Sequence, residues 1–163
     1  MSSDLQVRVA TIDDLDEVMT LAWMATEENG FLPASPELLL REIYPALQLH
    51  EGVMGVVGPD DGEIEGVILL RVGRMWYSHA LVIEEKAIFV HPDHRDAKSG
   101  HARKLCQFSK KVSDELKMPL VIGVLSNERT AAKVRMYERE FGKPNGAYWL
   151  HNAATGAALT DNT

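Results

Sequence analysis

The feature that most constrains the fold is a strand, a long helix and a second strand in direct succession between residues 80 and 125. Residues 80–90 form a largely apolar, strand-like run, and residues 95–117 carry apolar side chains at helical spacing. Residues 120–125 are wholly apolar, which predicts a short strand buried on both faces. Two strands joined by such a helix normally lie parallel in one sheet, because parallel strands need a long crossover connection. The segment therefore predicts a parallel β-α-β unit.

The first fifty residues predict one strand and two helices. Residues 6–10 alternate weakly as a strand. Thr11, with Asp14 three residues later, resembles a capping box, and it opens a helical pattern that ends at Asn29. A second helix is expected to begin at Ser35-Pro36, because serine caps helices and proline suits their first position.

In the second third of the chain the period changes to that of strands. Residues 53–57 and 63–72 predict a hairpin, because the Pro-Asp-Asp-Gly sequence between them is typical of a turn. Residues 127–141 predict a helix that Gly142 ends, and residues 147–151 predict a last strand. The order β-α-α-β-β-β-α-β-α-β predicts a mixed α/β (α+β) fold. The residues of the long helix expected to point inward are Ala102, Leu105, Cys106, Val112 and Leu116.

Composition limits the class of protein. A chain of 163 residues with 45% hydrophobic residues fits one domain with a core. Its 17 basic and 24 acidic residues give a net charge of −7, which argues against sequence-independent nucleic-acid binding. The single cysteine, Cys106, cannot form an internal disulfide, and no apolar stretch predicts a signal peptide or a membrane span. We therefore expect a cytoplasmic protein.

Residues 91–104 form a charged turn between the strand and the long helix. A helix N-terminus offers unpaired N–H groups and the positive end of the helix dipole, so it binds anions without a dedicated side chain. Gly100 and the small Ser99 let a phosphate approach the backbone, and Arg95 with the basic residues after Gly100 makes the region locally basic. The pattern indicates either an anion-binding turn or a solvated charged connection.

Two motifs together resemble the GCN5-related N-acetyltransferases. Residues 95–100, RDAKSG, are similar to the phosphate-binding turn of that family in their first and last positions, whereas Lys98 stands where the first family glycine is expected. Asn127, Tyr137 and Phe141-Gly142 match the spacing of the family's later helix. The order of elements also matches, so the resemblance covers nearly the whole chain.

The resemblance implies a fold and a cofactor. The fold would be a mixed twisted sheet of six to seven strands with about four helices and splayed central parallel strands. Residues 1–152 would form this single domain, and residues 153–163 a flexible tail. The cofactor would be acetyl-CoA, with its pantetheine arm between the splayed strands and its thioester oxygen held by a backbone N–H near Val90. The implied cofactor-binding residues are Phe89, Val90, Arg95, Asp96, Ala97, Lys98, Ser99, Gly100, His101, Ala102, Asn127 and Lys133.

The resemblance also implies catalytic residues. Tyr137 has the position of the family tyrosine that donates a proton to the leaving CoA thiolate, although a half-buried core tyrosine gives the same pattern. Glu84 and Glu85 lie in the strand that supplies the base in the family, so either would remove a proton from the attacking amine. Strand alternation places them on opposite faces, and a surface pair with Lys86 is equally open. Weaker candidates for the base are His79 and His91.

The reaction implied by the resemblance is acetyl transfer to a primary amine of a small molecule or peptide, by direct attack in a ternary complex. Residues 23–40, 75–79 and 145–151 would shape the acceptor pocket. Glu27 and Glu28 lie near it and would attract a cationic amine.

Two other readings remain open. A non-catalytic relative that acts through protein contacts is favoured by Lys98, and a phage-type modifier of nucleic-acid bases is disfavoured by the net charge. The family also implies a homodimer. We predict no metal, because no recognised ligand spacing completes a site with His91, His94 and His101.

Overall fold

A mixed β-sheet forms the centre of the molecule. The computed structural model describes residues 5–95, 98–126 and 129–152, and within them five strands pair in the order β1-β2-β3-β4-β5. The pairs β1–β2, β2–β3 and β3–β4 are antiparallel, and the pair β4–β5 is parallel. The predicted hairpin and parallel unit are therefore confirmed. The strands are β1 (Arg8–Val9), β2 (Gly52–Val57), β3 (Gly66–Arg74), β4 (Leu81–Val90) and β5 (Leu120–Val121).

Helices cover both faces of the sheet. On one face, a core that includes Val18 and Ile43 packs against Val67. On the other face, Leu105 packs against Ile68 and Ile83. The first face belongs to the two N-terminal helices and the second to the long helix, which is the layering expected for an α/β fold. The helices are α1 (Leu15–Asn29), α2 (Pro36–Leu47), α3 (His101–Leu116) and α4 (Thr130–Phe141).

A β-bulge in β4 lies at its adjacent carboxylates. Leu70 pairs with Glu85 and Leu69 with Ala87, so Lys86 is the extra residue. Directly paired residues point to the same face. Leu70 belongs to the core beneath α3, so Glu85 points to the α3 side.

Glu84 points to the opposite face of the sheet. Its partner in the register is Arg71. The Arg71 side chain donates to the backbone oxygen of Glu42 in α2 at 3.0 Å. Glu84 therefore lies on the side of the sheet that α1 and α2 cover.

Two strand predictions were wrong. The strand predicted over 120–125 is only Leu120–Val121, and Val121 is 41% exposed, so it is not buried on both faces. β5 is the edge of the described sheet, which leaves one side without a neighbour. Residues 147–151 form no strand, since an edge two residues long offers few groups to pair with.

The predicted start and inward face of the long helix also need correction. The helix begins at His101 rather than Arg95, because residues Pro92–His94 form a separate 3-10 turn and Gly100 has a left-handed φ of 66°. Leu105 and Cys106 are fully buried as predicted, whereas Leu116 is 50% exposed and does not point inward. α4 is described from Thr130 onward. The predicted site residues Asp96, Ala97 and Asn127 and the tail 153–163 lie outside the described residues.

All three predicted helix caps are present, including Ser35, whose hydroxyl accepts the Leu38 N–H at 3.4 Å. Gly142 ends α4 with a φ of 85°, and its N–H donates to the Glu138 oxygen at 2.9 Å. The Asp14 carboxylate accepts the Thr11 N–H at 2.8 Å and both terminal nitrogens of Arg8 at 2.8 and 2.9 Å. These bonds, from Arg8 first, lower the pKa of Asp14 below its usual value.

We expect Asp14→Asn to lower the free energy of unfolding by about 1–2 kcal/mol at pH 7, because the ionised cap loses its charge. A lowered pKa stabilises the folded state above the ordinary pKa near 4, and this contribution is lost as the pH falls through the folded value. Urea unfolding at pH 7 and pH 3 should therefore show a difference from wild type that shrinks at pH 3. The exposed neighbour Asp13, substituted as Asp13→Asn, is the control, and equal losses in both variants would contradict the assignment.

Candidate cofactor-binding and catalytic site

A cleft of about 380 Å³ lies between the end of β4, the start of α3 and one face of α4. Glu28 is the one carboxylate among the described residues that line it. A concentration of positive charge in a chain of net charge −7 attracts anionic ligands to this place. The basic residues that line the cleft are Arg95, Arg103, Arg129, Lys133, Arg135 and Arg139.

The turn before α3 forms part of the cleft wall, and within it the His101 N–H donates to the Ser99 hydroxyl at 3.5 Å. Ser99, Gly100, His101 and Ala102 all line the cleft. The left-handed φ of Gly100 is a conformation that glycine adopts without strain. The first helical hydrogen bond of α3 runs from the Lys104 N–H to the Gly100 oxygen at 3.0 Å, so the preceding amides have no acceptor within the helix. Such amides, with the positive end of the helix dipole, are suited to a phosphate.

The Arg95 side chain is bonded to protein groups. Its two terminal nitrogens donate to the two carboxylate oxygens of Glu28 at 2.6 and 2.7 Å, and its Nε donates to the Val90 oxygen at 2.7 Å. The guanidinium also lies 4.9 Å from the centre of the Phe89 ring. The bond from Arg95 lowers the pKa of Glu28, so this carboxylate, predicted to attract an amine, is ionised and held by an arginine.

A second contact holds the end of α1 from the opposite wall of the cleft. Lys133 of α4 donates its Nζ to the side-chain oxygen of Asn29. Glu28 and Asn29, the last residues of α1, are therefore bound by Arg95 and by Lys133. The segment that follows α1, within the predicted acceptor-pocket range 23–40, is thus anchored to the cofactor turn.

Tyr137 and Glu85 meet between α4 and β4. The Tyr137 hydroxyl donates to Glu85 Oε1 at 3.2 Å. Burial raises the pKa of Glu85 to about 7, against the opposing effects of the Tyr137 bond and Lys133. Burial, with the neighbouring Glu85 charge, also raises the pKa of Tyr137, which is therefore a neutral phenol. A carboxyl group with a pKa near neutrality, bonded to a phenol, is suited to proton transfer.

Glu84 is separated from this pair. Its carboxylate accepts a hydrogen bond from Lys86 Nζ at 2.8 Å, and both side chains are partly exposed. The surface pair considered from the sequence is therefore present. The structure brings Glu85 together with Tyr137 and leaves Glu84 on the other side of the sheet.

Eight of the predicted cofactor residues line the cleft. Lys98, two residues before Gly100, is exposed and is not among the lining residues. Sequence reasoning missed Arg129, Arg135 and Arg139, whose signal was the four-residue spacing of basic residues at 129 and 133 and at 135 and 139. The eight residues are Phe89, Val90, Arg95, Ser99, Gly100, His101, Ala102 and Lys133.

Two further properties concern the described ranges only. Within them, no group of three or more histidine, cysteine, aspartate or glutamate side chains is arranged to hold a metal ion. None of the helices in these ranges is both long and apolar enough to cross a membrane.

Comparison with known proteins identifies the fold. No protein-family model and no curated protein matches the chain. The structure of AAC(6')-Iy in complex with the bisubstrate analogue CoA-S-monomethyl-acetylneamine is similar at a TM-score of 0.71 and 14% identity, over 92% of this chain and 98% of that one. A ribosomal-protein-alanine N-acetyltransferase from Brucella melitensis biovar Abortus 2308 gives 0.65 and 15%, over 91% and 98%. An integron cassette protein from the mobile metagenome of Cole Harbour Salt Marsh gives 0.67 and 20%, over 92% and 91%.

The chain therefore has the fold of the GCN5-related N-acetyltransferases. The name of the first structure includes a bisubstrate analogue that contains CoA, and the name of the second is that of an N-acetyltransferase. Identities below 25% establish the fold only, so the activity has to be argued from the residues of the site. The predicted mixed α/β fold is confirmed, with five strands and four helices in the described residues. The six to seven strands and the splayed parallel pair that the resemblance implied are not confirmed.

We expect Arg95 and Glu28 to be energetically coupled. Because the pair is bidentate and largely buried, a cycle of Arg95→Gln, Glu28→Gln and the double variant should give a coupling of about 1–2 kcal/mol in urea unfolding. The exposed pair Lys111 and Glu115, 4.0 Å apart, is the matched control, and its coupling should be close to zero. Similar couplings in both cycles would show that Arg95 does not anchor the turn.

Proposed function

We propose that the protein is an N-acetyltransferase that uses acetyl-CoA. The observation that carries this proposal is the basic cleft at the start of α3. Coenzyme A carries a pyrophosphate and a third phosphate on its ribose, so it needs both backbone amides and a set of cationic side chains. The amides of residues 99–102 suit the pyrophosphate, and the arginines of α4 suit the remaining phosphate. The similarity to a structure that contains a CoA analogue supports this proposal.

The pairing of the parallel strands supports a place for the pantetheine arm. β5 pairs with β4 only at Ile83↔Leu120 and Glu84↔Val121, while β4 continues to Val90. Beyond the second pair, β4 backbone groups have no β5 partner among the described residues. An extended arm bonded there would take the place of a missing strand. We place its thioester near Glu85 and Tyr137, further along β4 from the turn than the N–H near Val90 that the family resemblance implied.

The reaction we propose is direct transfer. The amine nitrogen attacks the thioester carbon, the carbon–sulfur bond breaks, the amine loses a proton and the CoA thiolate gains one. Cys106 is the chain's single cysteine; it is fully buried, and burial raises its pKa to about 12. It is therefore unsuited to carrying an acyl group, which supports direct transfer over a cysteine intermediate.

Glu85 is better placed to supply a proton than to remove one from the amine. A phenol whose pKa is raised is a weaker acid than a thiol, so Tyr137 alone cannot readily protonate a thiolate. Glu85, with a pKa of about 7, is a stronger acid than a thiol and is bonded to Tyr137. In this relay protonated Glu85 would donate its proton to the Tyr137 oxygen, reversing the direction of the bond, as the hydroxyl proton moves to sulfur. The ionised Glu85 left behind then accepts the Tyr137 hydroxyl, as in the structure.

Of the two glutamates, Glu84 is then the candidate for the base, beside the weaker candidates His79 and His91. Glu84 lies on the side of the sheet covered by α1 and α2, where the acceptor pocket was predicted. The acceptor remains an amine of a small molecule or peptide, and the homodimer and the cytoplasmic location remain predictions from the sequence. A non-catalytic relative would have no use for a buried carboxyl group bonded to Tyr137, which favours the enzyme.

Acetyl-CoA binding is the first test. Calorimetry should give a micromolar dissociation constant, about −8 kcal/mol. Arg135→Gln and Arg139→Gln should each weaken binding about tenfold, because each removes one cation from the phosphate site. Arg41→Gln, an exposed residue of α2 outside the cleft, is the matched control. Failure to bind at millimolar acetyl-CoA would overturn the proposal.

The pH dependence of turnover tests the role of Glu85. As an acid with a pKa of about 7, it is protonated below pH 7, so the ratio of wild-type kcat to Glu85→Gln kcat should fall as the pH rises through 7. Tyr137→Phe should lower kcat by about 10²-fold and leave acetyl-CoA binding unchanged. A ratio that rises through pH 7 would instead make Glu85 a base.

A further inference from the structure

His101, the first residue of α3, lies between two acceptor groups. It is 4% exposed, with Nδ1 3.1 Å from the Ser99 carbonyl oxygen and Nε2 2.7 Å from Glu65 Oε1. A carbonyl oxygen and a carboxylate cannot donate, so both ring nitrogens must carry a proton to make both bonds. A neutral ring facing a protonated Glu65 would contain the same number of protons. Making both bonds at once therefore requires one proton more than a neutral histidine beside a carboxylate contains.

Glu65 is fixed in place by the backbone on both sides. Its N–H donates to the Val57 oxygen, and its oxygen accepts the His91 N–H, both at 2.8 Å. Its side chain is 14% exposed. The same Oε1 lies 3.5 Å from His94 Nδ1, and the His94 ring stacks on the His101 ring at 6.3 Å and 4°. One carboxylate of the β2–β3 connection therefore joins the sheet to histidines on both sides of the cofactor turn.

The His101 ring determines how the turn presents its backbone. The Ser99 carbonyl and the Gly100 N–H belong to one peptide plane, and in a trans peptide they point in opposite directions. Holding the carbonyl at His101 therefore fixes the direction of the Gly100 N–H. Ser99 and Gly100 line the basic cleft, and at the start of α3 the Ser99 hydroxyl accepts the His101 N–H at 3.5 Å. The contact of the ring with the Ser99 carbonyl, at 3.1 Å, is the shorter of the two bonds that hold this peptide.

We propose that Glu65 and His101 form a proton-bearing clamp that orients the Ser99–Gly100 peptide for a phosphate, so that anion binding in the cleft is coupled to protonation of the pair. Both are positioning residues, since they act through the turn. The proposal rests on the proposed function, because the anion would be the CoA pyrophosphate.

The direction of the pH effect follows from the groups around the ring. Glu65 from the β2–β3 connection bonds the ring, and His94 from the 3-10 turn stacks on it. The charged residues near His101 along the chain are Asp93, Arg95, Lys98, Arg103 and Lys104. Arginine and lysine side chains ordinarily keep their charge between pH 6 and 9. Loss of the clamp proton as the pH rises removes one positive charge and one bond to the turn. By linkage, CoA binding must then weaken as the pH rises, by up to about tenfold per pH unit above the transition.

Calorimetry with CoA from pH 6 to 9 tests the coupling. Wild-type dissociation constants should rise about tenfold or more over this range, and binding above the transition should take up protons. Glu65→Gln and His101→Gln should bind more weakly at pH 6 and should show only the small slope caused by titration of CoA itself. His50→Gln, an exposed histidine outside the cleft, should keep the wild-type slope. A wild-type slope retained in His101→Gln would overturn the proposal.

NMR of the imidazole nitrogens tests the clamp independently of acetyl-CoA binding. The measurement needs neither CoA nor a substitution, so it remains decisive if the chain does not bind CoA or if a variant does not fold. At pH 6 the His101 ring should show two protonated nitrogens, or one together with a protonated Glu65 carboxyl, and it should lose that proton in one step as the pH rises. A ring that carries one proton beside an ionised Glu65 throughout would overturn the clamp. Titration with inorganic pyrophosphate should raise the pH of that step, and an unchanged step would refute the coupling.

Discussion

The rest of the site depends on the contacts of the Arg95 guanidinium. This one side chain donates a hydrogen bond to the Val90 oxygen at the end of β4 and to the Glu28 carboxylate at the end of α1. It also lies over the Phe89 ring. The turn that follows β4 has no strand to hold it, and Gly100 adds a left-handed residue. Arg95 therefore ties the start of the turn and the end of α1 directly to the end of β4, beside the contacts made by His101 and Lys133. Arginine suits this task because its planar fork matches a carboxylate and retains another donor for a carbonyl.

β4 carries two adjacent carboxylates that point to opposite faces of the sheet and differ in their surroundings. The bulge at Lys86 and the alternation before it put Glu84 beside solvent and α2, and Glu85 beneath α3 and α4. Burial of Glu85 raises its pKa from 4.5 to about 7. Between these values the folded chain binds more protons than the unfolded chain, so ionisation of Glu85 costs stability as the pH rises. A buried acid retained at that cost is typical of a site that uses its proton.

The sequence predicted what local rules control. The Thr11–Asp14 box, the Pro-Asp-Asp-Gly hairpin and the Gly142 cap each depend on a few adjacent residues, and all are present. The sequence was a poorer guide to features that depend on a neighbouring element, such as the length of an edge strand. The apolar run 120–125 pairs at only two residues, because a strand extends only where a partner follows it.

The same distinction applies to the site. Tyr137 and the glycine of the turn were found by spacing, because each occupies a fixed place in a local motif. The Glu28–Arg95 and Glu65–His101 pairs join residues that are 67 and 36 positions apart, and no local pattern contains such distances. Arg129, Arg135 and Arg139 were visible only as a helical spacing whose facing surface was unknown. The roles of residues that act through long-range contacts could therefore be assigned only once the fold was known.

Charge then explains how an acidic chain suits two substrates of opposite sign. Setting aside the six basic residues of the cleft and Glu28 leaves 11 basic and 23 acidic residues for the rest of the chain. The net charge of that remainder, 11 minus 23, or −12, opposes a polyanion such as CoA and attracts a protonated amine. Once CoA occupies the cleft, its phosphates compensate the basic residues, so the positive field there no longer opposes the approach of a cationic acceptor. In the proposed reaction, this field would favour binding of the cofactor before the amine, because an empty basic cleft would repel a cationic acceptor.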